Sequence, residues 1–399
     1  MITVMGEMMM TKILIIDGHD RRALAGVRSI GEKKEDFYII IGSSRKLNAS
    51  RFSKYCNEFV YYPDPDEDEE DFVDFLIEYI KANQIQVLVP MGDRVAEIAS
   101  KNKEKFKKVT HLLVPDYDVF MIARDKGITL EYAKKNNIPY PKTYKIEDIE
   151  NDAEGITYPV IIKPRISSAS MGIVIASNKE HAIECYKNVD AEYKEPIIQE
   201  IIPDVGEHYQ ANLLFDENSE IKASCIKKKI RQFPITGGPS TFFKTVDNKE
   251  IEEMSIRFLK NINWIGPAEV EYMIDPRDGT PKLMEINPRL SATIRLSCFV
   301  GVDFPYLIVQ NALGNKTELV KNNKYEYFCQ WFFPGDLLNF IFSKNKFNQE
   351  YGYVFKKPKN ICHSVFKGND IMPYIANVMA LLVSAFNIKR VLKFVKPKN

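Results

Sequence analysis

The sequence predicts an α/β protein: an open parallel α/β unit first, then a more antiparallel unit. Three observations predict it. Short apolar runs alternate with helical stretches through residues 11–115. Alternating strands crowd residues 199–315. Hydrophobic residues at 45% and charged residues at 27% are ordinary globular values, which excludes a disordered, collagenous or coiled-coil chain. The 399 residues allow roughly two to three domains and a large buried core.

The elements follow in order. Lys12-Ile-Leu-Ile-Ile-Asp17 is a buried strand, residues 22–30 are helical, and Phe37 to Ile41 is a second strand, a βαβ pattern. Seven acids in residues 64–71 lead into Phe72, Phe75, Leu76, Tyr79 and Ile80, an i, i+3, i+4, i+7, i+8 stripe. Acids in a first helical turn suit the helix dipole, so they read as a helix start and not as a metal site. Gln86 to Pro90 is another buried strand, and Asp93 lies just beyond its end, where ligands of open α/β sheets collect. Tyr158-Pro-Val-Ile-Ile-Lys163-Pro164 and Ile173 to Ala176 are strands joined by a small-residue loop. Ile197 to Ile202 is a further strand, ending at Pro203. Strands at 209–215, 221–226, 268–274 and 282–287 complete the pattern.

Lys plus Arg number 55 and Asp plus Glu 54, so bulk charge does not drive binding to nucleic acid. The balance hides an asymmetry. Residues 341–399 carry eleven Lys/Arg against Glu350 and Asp370, net +9, whereas residues 1–340 are net −8. No two of the six cysteines lie closer than 31 positions, which excludes CxxC and zinc-ribbon spacings and reads as reduced thiols in a cytoplasmic protein. Met1 to Lys12 has no basic segment followed by a long apolar one, so no signal peptide is expected, and Met10 is an alternative start. Residues 371–386 are apolar but broken by Pro373, Asn377 and Ser384, short for a membrane span. Lys389, Arg390, Lys393, Lys396 and Lys398 follow, interleaved with apolar residues. Two readings of this end stand: a helix closing the core or a homodimer, and peripheral contact with an anionic membrane surface.

Period two puts Glu269 and Glu271 on one sheet face, and Glu285 and Asn287 on one face of the next strand. Residues 275–280 are a turn by composition. An odd-numbered loop would set Glu271 directly opposite Glu285; a two-residue Asp278-Gly279 turn would put them on opposite faces. Two carboxylates plus an amide oxygen suit Mg²⁺, and Arg289 beside them suits phosphoryl or acyl-phosphate charge. Lys163 ends an apolar strand, where an unpaired charge is costly. The small residues after it allow backbone N–H groups to approach phosphate. Lys126 precedes a helical stretch. P-loop, Ser-His-Asp, His-Glu-x-x-His and kinase patterns are absent from the sequence. The stretch from Lys227 to Ser240 reads as a connection carrying Arg231 and the Gly237-Gly238 pair; Arg231, Gly238 and Arg295 are candidate substrate contacts.

These segments, in this order, resemble the ATP-grasp superfamily: Lys126; Pro159 to Pro164 as P-V-hydrophobic-hydrophobic-K-P; Glu200 with Glu207 seven residues on; and Glu285-Ile-Asn-Pro-Arg289 as E-hydrophobic-N-P-R. The resemblance covers about residues 11–315 and is strongest to carboxylate–amine ligases and carbamoyl-phosphate-synthase-like proteins. It implies an N-terminal open α/β domain (1–120), a small α+β lid (121–198), a larger antiparallel-sheet nucleotide and Mg²⁺ subdomain (199–315) and a C-terminal extension (316–399). It also implies that Lys126, Lys163, Ser168, Ser170, Met171 and Gly172 hold ATP phosphates. By the same resemblance the Glu200, Ile201 and Ile202 hinge reads adenine and Glu207 takes the ribose. Glu271, Glu285 and Asn287 would hold Mg²⁺, with Mn²⁺ as a substitute, and Arg289 with Lys163 would be catalytic. The implied reaction activates a small-molecule carboxylate as an acyl phosphate and couples it to an amine. Bicarbonate activation and non-catalytic ATP binding are the alternatives.

Overall fold

The computed structural model describes residues 10–33, 36–167, 171–203, 207–235, 237–347 and 349–385. Strands β1 (Thr11–Ile16), β2 (Phe37–Ser43), β3 (Glu58–Tyr61) and β4 (Val87–Pro90) form a parallel sheet in the order β3-β2-β1-β4. β1 and β4 lie side by side, Ile13 against Val87 and Ile15 against Val89, and their apolar runs are buried on both faces. The helix Arg21–Gly31 starts where the Asp20 carboxylate accepts from the Arg22 N–H. The acidic run becomes the start of the helix Glu69–Asn83, capped by Asp68.

A small antiparallel sheet follows: β5 (Thr143–Tyr144), β6 (Val160–Lys163), β7 (Val174–Ala176) and β8 (Ile197–Glu200), ordered β5-β8-β6-β7. The helix Lys179–Tyr193 packs on it, whereas the helix Lys126–Lys135 packs on the strand Pro281–Asn287 of the large sheet described below and is capped by Asp125, whose carboxylate accepts from Gly127 N and from Arg165 Nε, both at 2.8 Å. Arg165 follows β6, so this cap fastens the helix to the small sheet. A strand boundary at residue 198 would cut through β8, which belongs to this sheet over its whole length.

The large sheet contains β9 (His208–Phe215), β10 (Ile221–Gln232), β11 (Ser240–Thr245), β12 (Gly266–Ile274), β13 (Pro281–Asn287), β14 (Val320–Lys321), β15 (Phe328–Gln330) and β16 (Ile361–His363). Its order is β13-β12-β9-β10-β11-β15-β16, with β14 beside β10. Three of its strands come from residues beyond 315, so that stretch extends the sheet. One continuous core runs from Ile13, Leu24 and Val89 through Leu290, Ile294 and Phe304 to Cys329, Cys362 and Val365. The C-terminal stretch is also fixed by charge. Arg28, 1% exposed, donates from Nε to Asp370 Oδ2 at 2.8 Å, from Nη2 to the Asp370 carbonyl and from Nη1 to the Val365 carbonyl. Arg21 stacks on Trp331, 3.6 Å from the ring centre.

The helix Met372–Ala385 follows Asp370. Among the described residues no helix is long and apolar enough to cross a membrane. The basic residues from Lys389 onward lie outside the described residues, as do Met1, Ser168 and Ser170.

Candidate active site

The site is built on β12 and β13, and its geometry depends on one irregularity. The hairpin leaves from Ile274 and returns at Pro281, a six-residue loop, and pairs Tyr272 with Leu283. With that register alone Glu271 would face Met284, and Glu285 would turn to the opposite side of the sheet. Met284 is instead bulged out of the ladder, so Glu271 pairs with Glu285 and Glu269 with Asn287. Neither of the two loops weighed from the sequence, odd-numbered or two-residue, is the one found: the loop has six residues, and the bulge brings the acids together. The Asn287 amide lies between them, its Nδ2 3.2 Å from Glu271 Oε1 and 3.4 Å from Glu285 Oε1.

This arrangement concentrates negative charge. Burial first, then the neighbouring Glu269 and Glu285, push the Glu271 carboxyl up to about 8. Glu285 behaves oppositely: burial works against its charge, but Lys126, Lys163 and Arg289 outweigh it and hold its carboxyl below the usual range. Lys126 Nζ lies 3.5 Å from Glu285 Oε2 and 3.4 Å from the Ser167 carbonyl. Lys163, at the end of β6, is 6% exposed and has no hydrogen-bond partner for its ammonium among the described residues. Burial depresses its pKa to about 8, while Glu285 opposes that shift. Lys163 from the small sheet and Lys126 from the helix packed on β13 thus converge on the acids of the large sheet.

The residues fit a hard divalent cation. Two facing carboxylates share a half-buried face with an amide whose oxygen takes the place of its NH₂ on rotation about the terminal bond. Among the described residues no cluster of three His, Cys, Asp or Glu has metal-binding geometry, so phosphate oxygens or water would complete the coordination. Glu269 is not available as a ligand, because Arg289 Nη1 donates to it at 2.6 Å and Ser291 Oγ also donates to it.

Arg289 is held twice. Besides Glu269, its Nε donates to Asp93 at 3.1 Å. Sequence reasoning placed Asp93 at a ligand-collecting strand end but did not connect it to Arg289, which lies 196 positions away. Glu269 was legible as sharing a face with Glu271; its use as an anchor for Arg289 was not. Sequence reasoning also missed Lys227, 0% exposed, which donates to Asn212 Oδ1, to the Thr293 carbonyl at 2.9 Å and to Thr293 Oγ1 at 3.0 Å behind the acidic face.

The remaining candidates divide. The Glu200 carboxylate bonds Lys142 N at 2.8 Å, Arg277 Nη2 at 2.7 Å and Lys282 Nζ at 3.0 Å, tying β8 to the β12–β13 hairpin; Ile201 and Ile202 follow it, Ile202 buried. Glu207 bonds Tyr209 Oη at 2.6 Å and Lys228, and lines a cavity of about 410 Å³ with His208, Lys228, Lys229 and Lys244. Gly172 has φ of 71°, a conformation that favours glycine, and Met171 beside it is exposed.

The three substrate candidates are differently placed. Residues 227–232 are strand, not connection. Arg231 is 4% exposed, pairs with Asp336 at 2.6 and 2.8 Å, donates to the Tyr351 carbonyl and lies between the rings of Phe242 and Tyr353. Its guanidinium is taken, so it cannot anchor a substrate without breaking a buried pair. A side chain at Gly238 would collide with the Phe233 carbonyl, so that glycine serves the loop's own folding. Arg295 lies on the helix Ile294–Val300, which packs against the helix Arg21–Gly31 and β16, and its Nε is buried without a partner among the described residues.

A small lid sheet closing lysines over a larger sheet that bears paired acids is the ATP-grasp fold. Residues 125–320 match the family described as "Carbamoyl-phosphate synthase L chain, ATP binding domain", so the chain carries an ATP-grasp ATP-binding domain. The D-aspartate ligase of Enterococcus faecium (strain Aus0004) is 23% identical over 299 residues, covering 69% of this chain and 70% of that protein. The carbamoyl phosphate synthase large chain of Methanobrevibacter smithii is 22% identical over 53% of this chain, which spans only 21% of that protein. Among solved structures, the biotin carboxylase domain of Hydrogenobacter thermophilus 2-oxoglutarate carboxylase, in complex with MgADP and bicarbonate, superposes with a TM-score of 0.66 at 15% identity. It covers 81% of this chain and 74% of that one.

Proposed function

We propose that this chain is an ATP-dependent ligase that activates a carboxylate as an acyl phosphate and couples it to an amine. One observation carries the reading: Lys163, from the small sheet, and Lys126, from the helix packed on β13, meet Glu271, Glu285 and Asn287, from the large sheet, within a single site that also holds Arg289. Phosphoryl transfer needs little covalent help from a protein; it needs positioning and charge neutralisation. Lys126 and Lys163 would take the phosphates of ATP, together with Ser168, Ser170, Met171 and Gly172 of the loop after Lys163. Glu200 to Ile202 and Glu207 are assigned to the nucleoside. Glu271, Glu285 and Asn287 would hold Mg²⁺, with Mn²⁺ as a substitute, and the ion would supply charge neutralisation for the phosphates.

The chemistry then balances without a covalent enzyme intermediate. A carboxylate oxygen attacks the γ-phosphorus, and ADP leaves. The amine attacks the acyl carbon of the acyl phosphate; inorganic phosphate leaves, and the nitrogen gives up its proton. Arg289 neutralises charge on the transferring group, a role whose loss costs about 2.7–4 kcal/mol of barrier. The test is ADP release with a panel of acids and amines. Release that requires both an acid and an amine supports the reading; release with bicarbonate alone would transfer the chain to the bicarbonate-activating class; nucleotide binding without turnover would make it a binding protein.

Two further readings concern partners. The Hydrogenobacter thermophilus domain is a dimer in its crystal structure, which supports a homodimer here, read by light scattering. For the C-terminal end we propose peripheral contact with an anionic membrane surface. The helix Met372–Ala385 exposes Met372, Ile375, Met379 and Leu382, and five basic residues follow it in sequence. Co-sedimentation with phosphatidylserine vesicles tests this against a Met379→Asp, Leu382→Asp variant; equal partitioning would remove the idea.

A further inference from the structure

We propose that Asp93, at the end of the N-terminal parallel sheet, is a positioning residue for Arg289, aiming it from outside the ATP-grasp domain. This rests on the ligase reading.

Arg289 Nε donates to Asp93, and Nη1 donates to Glu269 and, at 3.2 Å, to the Leu290 carbonyl. Nη2 has no partner among the described residues. The two anchoring acids come from different units. Glu269 sits in β12, within the large sheet. Asp93 opens the helix Asp93–Lys101, directly after β4 and the Pro90-Met91-Gly92 link. A guanidinium held at one nitrogen can pivot about that bond. Held at Nε and Nη1 by acids on separate supports, the plane is fixed and Nη2 alone is presented to an incoming anion.

Asp93 is itself braced. Arg22 Nη2 lies 3.9 Å from its second oxygen, Arg22 Nη1 lies 3.2 Å from Asp20 Oδ2, and Nη1 also donates to the Met91 carbonyl at 3.3 Å. An alternating series, Asp20–Arg22–Asp93–Arg289–Glu269, therefore runs from the first helix to the acidic face. Burial alone would raise the Asp93 carboxyl, but Arg289, Arg22 and Arg124 outweigh it and hold it well below the usual carboxylate range. It stays charged at any working pH, so the clamp is constant and does not titrate. Glu269 and Ser291 complete the support on the other side.

The consequence is a division of labour. Nucleotide binding belongs to the lid and large sheet. Stabilisation of the moving phosphoryl group also needs the N-terminal sheet to be docked, because only then is Arg289 aimed. The test uses the full chain with MgADP, and with MgADP plus orthovanadate as a mimic of the transferring phosphoryl group. In Asp93→Asn we expect MgADP affinity to stay within about twofold of the wild type, and vanadate-dependent tightening to fall about tenfold. In an Arg289→Ala background the same change should have no further effect, since its only route is through Arg289. Asp93→Glu, which keeps the charge, should restore part of the response. If Asp93→Asn fails to fold, Arg22→Gln, which removes the brace behind Asp93, gives the same comparison with about a threefold loss. Unchanged vanadate response in Asp93→Asn, or equal losses with and without Arg289, overturns the inference and leaves the ligase reading standing. Absence of MgADP binding by the wild-type chain overturns both.

Discussion

Glu271 faces Glu285 across β12 and β13 because Met284, between Leu283 and Glu285, drops out of the ladder. The paired acids at the centre of the site therefore depend on a single unpaired residue. A bulge costs regular pairing, and here it re-aims one side chain onto the face that carries Glu271. Deleting Met284 should close the bulge, since Glu285 then follows Leu283 directly and still lies opposite Glu271, and Mg²⁺-dependent nucleotide binding should be kept. Fluorescent-nucleotide titration with and without Mg²⁺ would show it, and loss of the Mg²⁺ dependence in a folded variant would refute this account of the site.

Glu285→Gln and Lys163→Ala should each abolish ATP turnover, a loss of at least about a hundredfold for one charge-stabilising group. Both should keep the fold: Lys163 closes no ion pair among the described residues, and the one that Glu285 closes, with Lys126 at 3.5 Å, is a long contact to a partly exposed carboxylate. Circular dichroism and a thermal melt are the controls. Near-normal acid-dependent ADP release by either variant would show that the chemistry lies elsewhere.

Mg²⁺ affinity should rise with pH. The Glu271 carboxyl sits at about 8 against an ordinary 4.5, so near neutrality a cation must displace its proton. Because the folded value lies above the unfolded one, this group costs stability progressively as pH climbs from 4.5 to about 8. Mg²⁺ removes that cost. The Mg²⁺-induced rise in Tm should therefore be larger at about pH 8.5 than at about pH 6.5. Glu271→Gln should flatten the difference; an equal rise at both pH values in the wild type would contradict the assignment.

Asp336→Ala should destabilise the protein by about 3–5 kcal/mol, the usual result of leaving one member of a buried pair alone, here Arg231. Urea unfolding measures it. A substrate-anchoring Arg231 would predict the reverse pattern: normal stability with a raised KM.

Asp370→Ala should act in the same way on Arg28, again by about 3–5 kcal/mol. Asp370 also accepts from Ser53 Oγ at 2.8 Å and from the Lys54 N–H at 2.9 Å, so the loss extends to the N-terminal unit. A chain truncated before Asp370 should be destabilised alike. Equal urea midpoints would mean that the C-terminal stretch is an independent appendage.

Much of this was legible in local sequence. Apolar runs set β1, β2, β4 and β6, because a strand buried on both faces must be continuously apolar. Lys126, Lys163, Glu271, Glu285, Asn287 and Arg289 were legible as residue types in an order. Arg231 was misplaced because an arginine beside glycines looks like a loop cation; its partner Asp336 lies 105 positions away, and nothing local announces it. The near-even charge count was also legible, but not that the +9 end supplies a strand of the large sheet, β16, which pairs with β15.

By itself the sequence determined which chemical groups are present and which strands carry them, since propensity and period are local properties. Tertiary structure alone decided the register that faces Glu271 with Glu285, the partner that occupies Arg231 and the clamp that aims Arg289. Each of these is a pairing between distant positions. Which acid meets which base there depends on how whole elements pack, and a buried charge accepts the partner that the fold brings to it.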